Sequence, residues 1–423
     1  MVSRSKAVSV NLASLSATLD RVNPCMPQRR ASREPDSPSD KTWIETDRKA
    51  LARFQQRMLA WFAEHARDLP WRRSRDLYRI WISEVMLQQT QVATVIDYFQ
   101  RFLVEFPTVV HLAEADEQQV LRQWEGLGYY RRARSLHAAA KKIVHDFRGQ
   151  FPETLDEVMS LPGIGRYTAG AILSIGLDAK LPILEANTIR VYARLAGYTR
   201  EATSTAGQKF LWNIAEQILP DKKVGFFNQA MMELGSALCT PRTPSCDQCP
   251  ASTWCVARRE QAVEQIPLLS KRMVYEYLTE VAVLVVDRQQ VLLRQCQPGE
   301  RWAGLWDFPR FSLEKTMLGA KSTTETDLEN YLIERVESLT GIASMIHDQW
   351  PSLKHGVTKY RITLRPMVAS LREAGSKSSR AKQKLAEHCK WTRIDALDDE
   401  PLSVTGRKLA QLLAKYDQTK KLF

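Results

Sequence analysis

Leu161-Pro-Gly-Ile-Gly-Arg-Tyr-Thr-Ala-Gly170 places two glycines around Ile164, between two stretches of helical periodicity. A Gly-x-Gly hairpin exposes backbone N–H groups, and the helix after it presents its N-terminus. Both attract a phosphate oxygen, which makes Gly163 and Gly165 candidate phosphate contacts. A plain helix–helix turn uses the same residue types, so this stretch alone leaves both readings open.

Working outward, the pattern on both sides is helical. Leu51, Phe54, Met58, Trp61 and Phe62 recur at spacings of three and four. Residues 78–106, 115–123, 130–147, 154–160, 166–176, 187–196, 205–218 and 225–238 also read as helices, punctuated by Pro70, Pro107, Pro152, Pro162, Pro182 and Pro220. The helices run into Cys239, Cys246, Cys249 and Cys255, spaced C-x6-C-x2-C-x5-C. Four thiolates this close suit one soft metal centre. Zinc would usually show two C-x2-C knuckles and only one is present, so the spacing leans toward an iron–sulfur cubane. Four unrelated buried cysteines are the alternative.

Beyond residue 256 the texture changes. Val274-Tyr-Glu-Tyr-Leu-Thr-Glu-Val-Ala-Val-Leu-Val-Val-Asp287 and the residues after it read as two strands around a turn. A helix near 325–339, a strand near 357–369, a strand around Trp391 and a helix at 403–415 follow. That is an α+β domain. The expected organisation is a disordered basic tail at 1–42, a helical domain at 43–256 with the cysteine loop at 239–255, a linker at 257–272, and an α+β domain at 273–418. The stretch 375–384 reads as an exposed basic loop.

Composition bounds the function. The chain has 423 residues and a net charge of +12, which points to an anionic partner such as nucleic acid. No apolar run approaches the roughly 20 residues that cross a bilayer. The start of the chain lacks a secretory h-region, and the seven cysteines show no disulfide framework. An intracellular location is therefore expected, cytoplasmic if the source is bacterial.

Two carboxylates stand out. Glu84 lies in an apolar helix among Ile82, Val85, Met86 and Leu87, where a raised pKa would suit a general acid. A solvent-facing glutamate is the alternative. Glu185 precedes a helix, with Asn187 as a candidate N-cap; it could equally serve only the helix dipole. Two carboxylates at one site would suit glycosidic cleavage through an oxocarbenium-like state. Trp124-Glu-Gly-Leu-Gly-Tyr-Tyr-Arg-Arg-Ala-Arg134 interleaves aromatics with arginines, as in a DNA-facing loop that wedges into a base stack. Tyrosines packed beneath a helix would look the same.

Taken together, these segments resemble the MutY-type adenine DNA glycosylases of the helix-hairpin-helix superfamily, which includes endonuclease III. The blocks that carry the resemblance are 69–72, 83–96, 126–134, 161–174, 228–235 and the four cysteines, in that order along residues 45 to 415. The resemblance implies an all-α helix-hairpin-helix glycosylase core with a 4Fe–4S cluster on Cys239, Cys246, Cys249 and Cys255, structural or DNA-sensing in role, and no nucleotide cofactor. It implies a monomeric base-flipping enzyme that excises adenine opposite 8-oxoguanine or guanine in duplex DNA. It makes Glu84 the acid that protonates adenine, Gln229 a contact to the flipped base, and Gln89, Leu127 and Tyr129 part of the duplex-contacting surface. Tyr167 then sits beside the catalytic carboxylate, with Glu185 and Asn187 completing the set. Lyase relatives carry a lysine where Tyr167 stands, and no lysine lies between Lys142 and Lys180, so a monofunctional glycosylase is expected. An endonuclease III-like glycosylase/lyase and a non-catalytic mismatch-binding protein are the rivals.

The chain departs from the family twice. The usual Asp-Gly-Asn is Glu185-Ala186-Asn187, one methylene longer at the carboxylate. The C-terminal domain resembles the Nudix-like domain that reads oxidised guanine, but its usual Phe-Ser-His is Val357-Thr358-Lys359, following His355. Thr358 keeps the hydroxyl and is the candidate contact. Arg335, Ser338 and Leu339 fall where a Nudix hydrolase carries metal-binding carboxylates, which argues against pyrophosphatase chemistry.

Overall fold

The computed structural model describes residues 42–268, 274–313, 324–372 and 384–420. All but the last residue of the tail expected at 1–42 and nearly all of the basic loop at 375–384 lie outside them. From Thr42 onward the chain forms one compact unit.

The helical part comprises α1 (Trp43–Thr46), α2 (Arg48–His65), α3 (Leu77–Leu87), α4 (Val92–Glu105), α5 (Val109–Glu114), α6 (Glu117–Gln123), α7 (Arg131–Phe147), α8 (Leu155–Met159), α9 (Arg166–Leu177), α10 (Ala186–Ala196), α11 (Thr205–Gln217), α12 (Val224–Ala237) and α13 (Val256–Arg259). They build two cores. One joins α3 to α9 around Trp81, Phe102, Trp124 and Leu136. The other joins α2 with α10 to α13 around Phe54, Met58, Tyr192 and Phe227. The first lobe is thus an insertion into the second, and residues of α3 and α9 face residues of α10 and α12 across the seam.

Periodicity predicts one helix over 78–106; the chain instead breaks at Gln88–Gln91, where Gln89 is left-handed with φ 57. The break has neither glycine nor proline. It is imposed from outside, by a side chain of α7 that takes the carbonyls ending α3. At the other end of the site, Gly235 lets α12 approach α10 closely: an added Cβ would lie 2.8 Å from Asn187 Cβ.

The second part is an eight-stranded sheet: β1 (Glu276–Asp287), β2 (Gln290–Gln295), β3 (Trp306–Asp307), β4 (Arg310–Leu313), β5 (Ser344–Gln349), β6 (Leu353–Val357), β7 (Tyr360–Leu371) and β8 (Cys389–Arg393). β1 and β7 pair in parallel at its centre, with Thr279 opposite Thr363. Alternate residues of β1 face opposite ways, as a period of two requires. Val281, Val283 and Val285 pack on the helix Glu325–Thr340, while Ala282, Leu284 and Val286 pack beneath the helix Val404–Lys420. The hairpin around Asp287 is as the sequence predicts; β3 to β6 are short or peripheral and carry too little alternation to be read.

The two parts dock by specific contacts. Arg407 grips Glu125 with Nε to Oε1 at 2.6 Å and Nη2 to Oε2 at 2.9 Å. Arg134 Nη1 donates to the Ala303 carbonyl at 2.7 Å, and Gln118 Nε2 to that of Gly304 at 3.0 Å. Leu305 enters the core of the helical lobe.

The iron–sulfur loop is corrected. Cys239, Cys246, Cys249 and Cys255 do gather, together with Arg194 and Arg258, around one recess. Among the described residues no group of three or more His, Cys, Asp or Glu side chains is arranged to hold a metal ion. Burial pushes the Cys249 thiol up to about 12 and the Cys255 thiol above its usual range. The loop is tied by arginine instead. Arg194 donates from Nη1 to Cys239 Sγ at 3.2 Å and to the Thr240 carbonyl at 2.9 Å, and Arg258 reaches the Cys246 carbonyl at 3.0 Å. Cysteine spacing foretold the proximity of the sulfurs, not a ligand geometry, and the 4Fe–4S expectation is withdrawn.

Candidate active site

Between the two helical lobes lies a cleft of about 450 Å³, within the usual size of small-molecule sites. Glu84, Gln89, Tyr167, Glu185, Asn187 and Gln229 all line it.

Glu84 sits on a stretch of α3 that is buried throughout from Ile80 to Met86, and only 4% of it is exposed. Tyr167, on the first turn of α9, donates its hydroxyl to Glu84 Oε2 at 2.7 Å. Burial raises the Glu84 carboxyl to about 7; the Glu185 charge adds to that, while the Tyr167 hydrogen bond and Arg72 oppose it. Burial likewise drives the Tyr167 phenol well above its usual range, leaving it a fixed donor. Glu84 is therefore a carboxyl that is largely protonated just below neutral pH and can release its proton just above.

Glu185, not Asn187, caps α10. Its Oε2 accepts from the Asn187 N–H and its Oε1 from the Thr188 N–H, each at 2.9 Å, and Thr188 Oγ1 accepts from the Glu185 N–H at 2.8 Å. The longer side chain still reaches the helix N-terminus, where partial positive charge favours an anion. Burial raises its pKa; the bonds from Asn187 and Thr188 and the charge of Arg190 oppose the rise. Asn187 turns its Oδ1 to Arg190 Nη2 at 3.0 Å. The two carboxylates that the sequence left separate thus meet at one cleft.

A triad closes the same cleft. Glu233 accepts from Arg67 Nη2 at 2.9 Å and from Arg72 Nη2 at 2.8 Å. Burial acts to raise the Glu233 pKa, but these two partners outweigh it and hold it below the usual range. Arg72 and Glu233 lie inside blocks that the sequence singled out, yet polar type alone gave no sign of their role.

A second cavity of about 790 Å³ opens between the helical part and the sheet. Gln89, Tyr129 and Gly163 line one side, and His355, Val357 and Thr358 the other. Gln89, Tyr129 and Thr358 all have left-handed backbones, with φ of 57, 47 and 50. Such strain collects at functional sites because surrounding structure must enforce it. Tyr129 is 48% exposed, whereas its neighbour Tyr130 is buried in the helical core. Lys359 pairs with Glu276 at 2.6 Å, and the Thr358 hydroxyl donates to the Val357 carbonyl at 2.8 Å.

Two candidate contacts line neither cavity. Leu127 is only 6% exposed and belongs to the helical core, because left-handed Gly126 and Gly128 turn it inward; its assignment to a duplex-contacting surface is corrected. Gly165 is the N-cap of α9, with no side-chain cap over the helix end.

Residues 82–217 match the model of the HhH-GPD superfamily of base excision DNA repair proteins, and residues 281–412 match the NUDIX domain model. Adenine DNA glycosylase of Mus musculus is 40% identical over 266 residues, covering 61% of this chain and 51% of that protein. Adenine DNA glycosylase of Buchnera aphidicola (strain Sg) is 38% identical over 259 residues, covering 61% of this chain and 75% of that protein. The chain thus spans about half the length of the mouse relative and three quarters of the bacterial one. Among solved structures, a thermostable thymine-DNA glycosylase matches with a TM-score of 0.46 at 27% identity, covering 50% of this chain and 98% of that one. With a helix-hairpin-helix core, a Nudix-like C-terminal domain and two carboxylates facing one cleft, the chain belongs to the adenine DNA glycosylase family of the HhH-GPD superfamily.

Proposed function

We propose that this chain removes adenine mispaired with 8-oxoguanine or guanine from duplex DNA, as a monomeric and monofunctional glycosylase. The observation that carries this reading is Glu84: a buried carboxyl with its pKa raised to about 7, held by Tyr167 in a cleft it shares with Glu185. Adenine flips out of the stack into that cleft. Glu84 transfers its proton to a ring nitrogen of the base. The N-glycosidic bond then breaks with its electron pair going to adenine. Glu185, held by the Asn187 and Thr188 N–H groups at the α10 N-terminus, which favour its carboxylate form, stabilises the oxocarbenium sugar. Water adds to the anomeric carbon and loses a proton, which leaves free adenine and an abasic site. Gln229 and Asn187 supply amide groups at the cleft wall. Tyr167 has no amine, so no Schiff base forms there and the strand stays intact.

The larger cavity supports a reading of the opposite base. Gln89 and Tyr129 fill the gap left by the flipped adenine, and Thr358 offers a hydroxyl to the partner base from the Nudix-like side. Gly163 meets the backbone phosphates.

The test is single-turnover adenine release from a duplex holding adenine opposite 8-oxoguanine, scored with and without alkali. Strand breakage that needs alkali is the expected result. Breakage without alkali would indicate a lyase, and tight binding without release would indicate a mismatch-binding protein.

A further inference from the structure

Arg132 stands on the first turn of α7, outside the cleft that holds Glu84 and Glu185. Its Nη1 donates to the carbonyls of Val85, Met86 and Gln88 at 2.8, 2.8 and 2.6 Å. Its Nη2 donates to Thr90 Oγ1 and to the carbonyls of Leu127 and Gly128, each at 3.2 Å. The guanidinium also lies 5.7 Å from the centre of the Tyr129 ring and 5.3 Å from that of Trp124. Burial lowers its pKa to about 10, which keeps it charged at neutral pH.

The choice of acceptors is informative. Gln88 and Gly128 immediately precede Gln89 and Tyr129, the two non-glycine residues that adopt left-handed backbones on this wall of the larger cavity. One planar fork thus holds the peptide bond entering each strained residue. Left-handed backbone at residues with side chains persists only where the surroundings fix it. A lysine ammonium has three donors on a flexible stem and cannot span two loops as a guanidinium does.

We propose that Arg132 is a positioning residue, holding the turns at Gln89 and Tyr129 in mutual register so that both side chains enter the duplex together. This rests on the reading that Gln89 and Tyr129 fill the gap left by the flipped adenine. Arg132 touches neither the acid nor the base, so it governs extrusion and not bond cleavage.

The experiment uses the full chain as Arg132→Lys and Arg132→Gln, with Thr90→Val removing one acceptor and no charge. One probe is a duplex with 2-aminopurine in place of the target adenine, whose fluorescence rises on extrusion. A second pair of substrates presents adenine either paired opposite 8-oxoguanine or already unpaired in a bulge. Both Arg132 variants should lose the fluorescence rise and release paired adenine about 100-fold more slowly, yet act on the bulged adenine within about threefold of wild type, as expected for lost positioning. Thr90→Val should fall between. An equal loss on both substrates, or none on either, overturns the proposal, and so does a fully active Thr90→Val if neither Arg132 variant folds. Gln89→Ala and Tyr129→Ala separate the two layers. If these keep the fluorescence rise, the underlying reading fails. If they lose it while the Arg132 variants keep it, the positioning role alone fails.

Discussion

Replacing Glu84 by glutamine should stabilise the protein at alkaline pH while abolishing adenine release. The ordinary pKa of a glutamate is 4.5, and burial lifts this one to about 7. A group with a raised folded pKa binds its proton more tightly in the native state. Its contribution to stability is complete below the unfolded pKa and is lost as pH rises through the folded one. Between pH 5 and pH 8 the wild type should therefore lose about 2.5 kcal/mol from this single carboxyl, at ~1.4 kcal/mol per pKa unit. The amide in Glu84→Gln does not titrate, and its oxygen can still accept the Tyr167 hydroxyl. The two proteins should differ little at pH 5, and the variant should be the more stable by about 2 kcal/mol at pH 8. Urea unfolding at both pH values measures this directly. Asp307, whose pKa burial also raises, lies in the sheet away from Glu84, contributes equally to both proteins and cancels in the difference. Parallel pH dependence of the two unfolding midpoints would refute the raised pKa and, with it, Glu84 as a neutral acid.

Four further outcomes follow from the same geometry. Tyr167→Phe removes a bond that favours the ionised Glu84, so the alkaline limb of the rate profile should move up by about one pH unit, read from single-turnover rates across pH. Glu185→Gln should lower adenine release by at least about 100-fold and cost about 1 kcal/mol, seen as a lower urea midpoint, because the amide oxygen replaces only one of the two acceptors that cap α10 and carries no charge. Arg407→Ala takes the two close contacts from the nearly buried Glu125 carboxylate, leaving only Arg122 and the Leu402 N–H at 3.4 Å, and should cost about 2–3 kcal/mol, seen as a lower urea midpoint. Gly163→Ala forces a Cβ to within 2.6 Å of Ser135 Cβ at a φ of +79, and should cost about 1–3 kcal/mol and weaken duplex binding, measured by urea unfolding and by fluorescence anisotropy.

What could be read from sequence follows a physical line. Glu84 was legible as a candidate from its apolar helix, but it took the family resemblance to choose an acid over a solvent-facing glutamate. The strands around Asp287 were legible because β-branched residues run on either side of a turn signal, as in strands buried on both faces. The family resemblance, not spacing, put Glu84, Tyr167, Glu185 and Gln229 at one site, and the four do line one cleft. What escaped were residues whose role exists only in three dimensions. Arg132, Arg67 and Glu233 look like ordinary surface charges until their partners arrive from other helices. The break after Leu87 has no local cause, since Gln88-Gln89-Thr90-Gln91 is free of glycine and proline. Leu127 entered as a duplex contact only through the resemblance, and it lies 6% exposed in the helical core between two glycines of positive φ. The cysteines erred in the other direction, because spacing constrains where sulfurs can lie and not what they bind.

The end of α3 ties the two cavities into one device. Gln88 and Gln89 line both, so the wall between the larger cavity and the acid cleft is a single stretch of chain. Glu84 lies four residues before Gln88, about one helical turn or roughly 5 Å along the axis. A base leaving the duplex beside Gln89 therefore has only a short path to the proton donor. The two ends of that path are nevertheless fastened differently. Glu84 is set by the core around Ile80, Trp81, Ile82 and Met86, whereas Gln88 and Gln89 are set by the guanidinium of Arg132. Loss of Arg132 should loosen the wall without moving the acid, so the pH midpoint for release of a bulged adenine should match wild type in Arg132→Lys. A displaced midpoint would mean that the wall and the acid move as one body, and that extrusion and protonation cannot be separated in this fold.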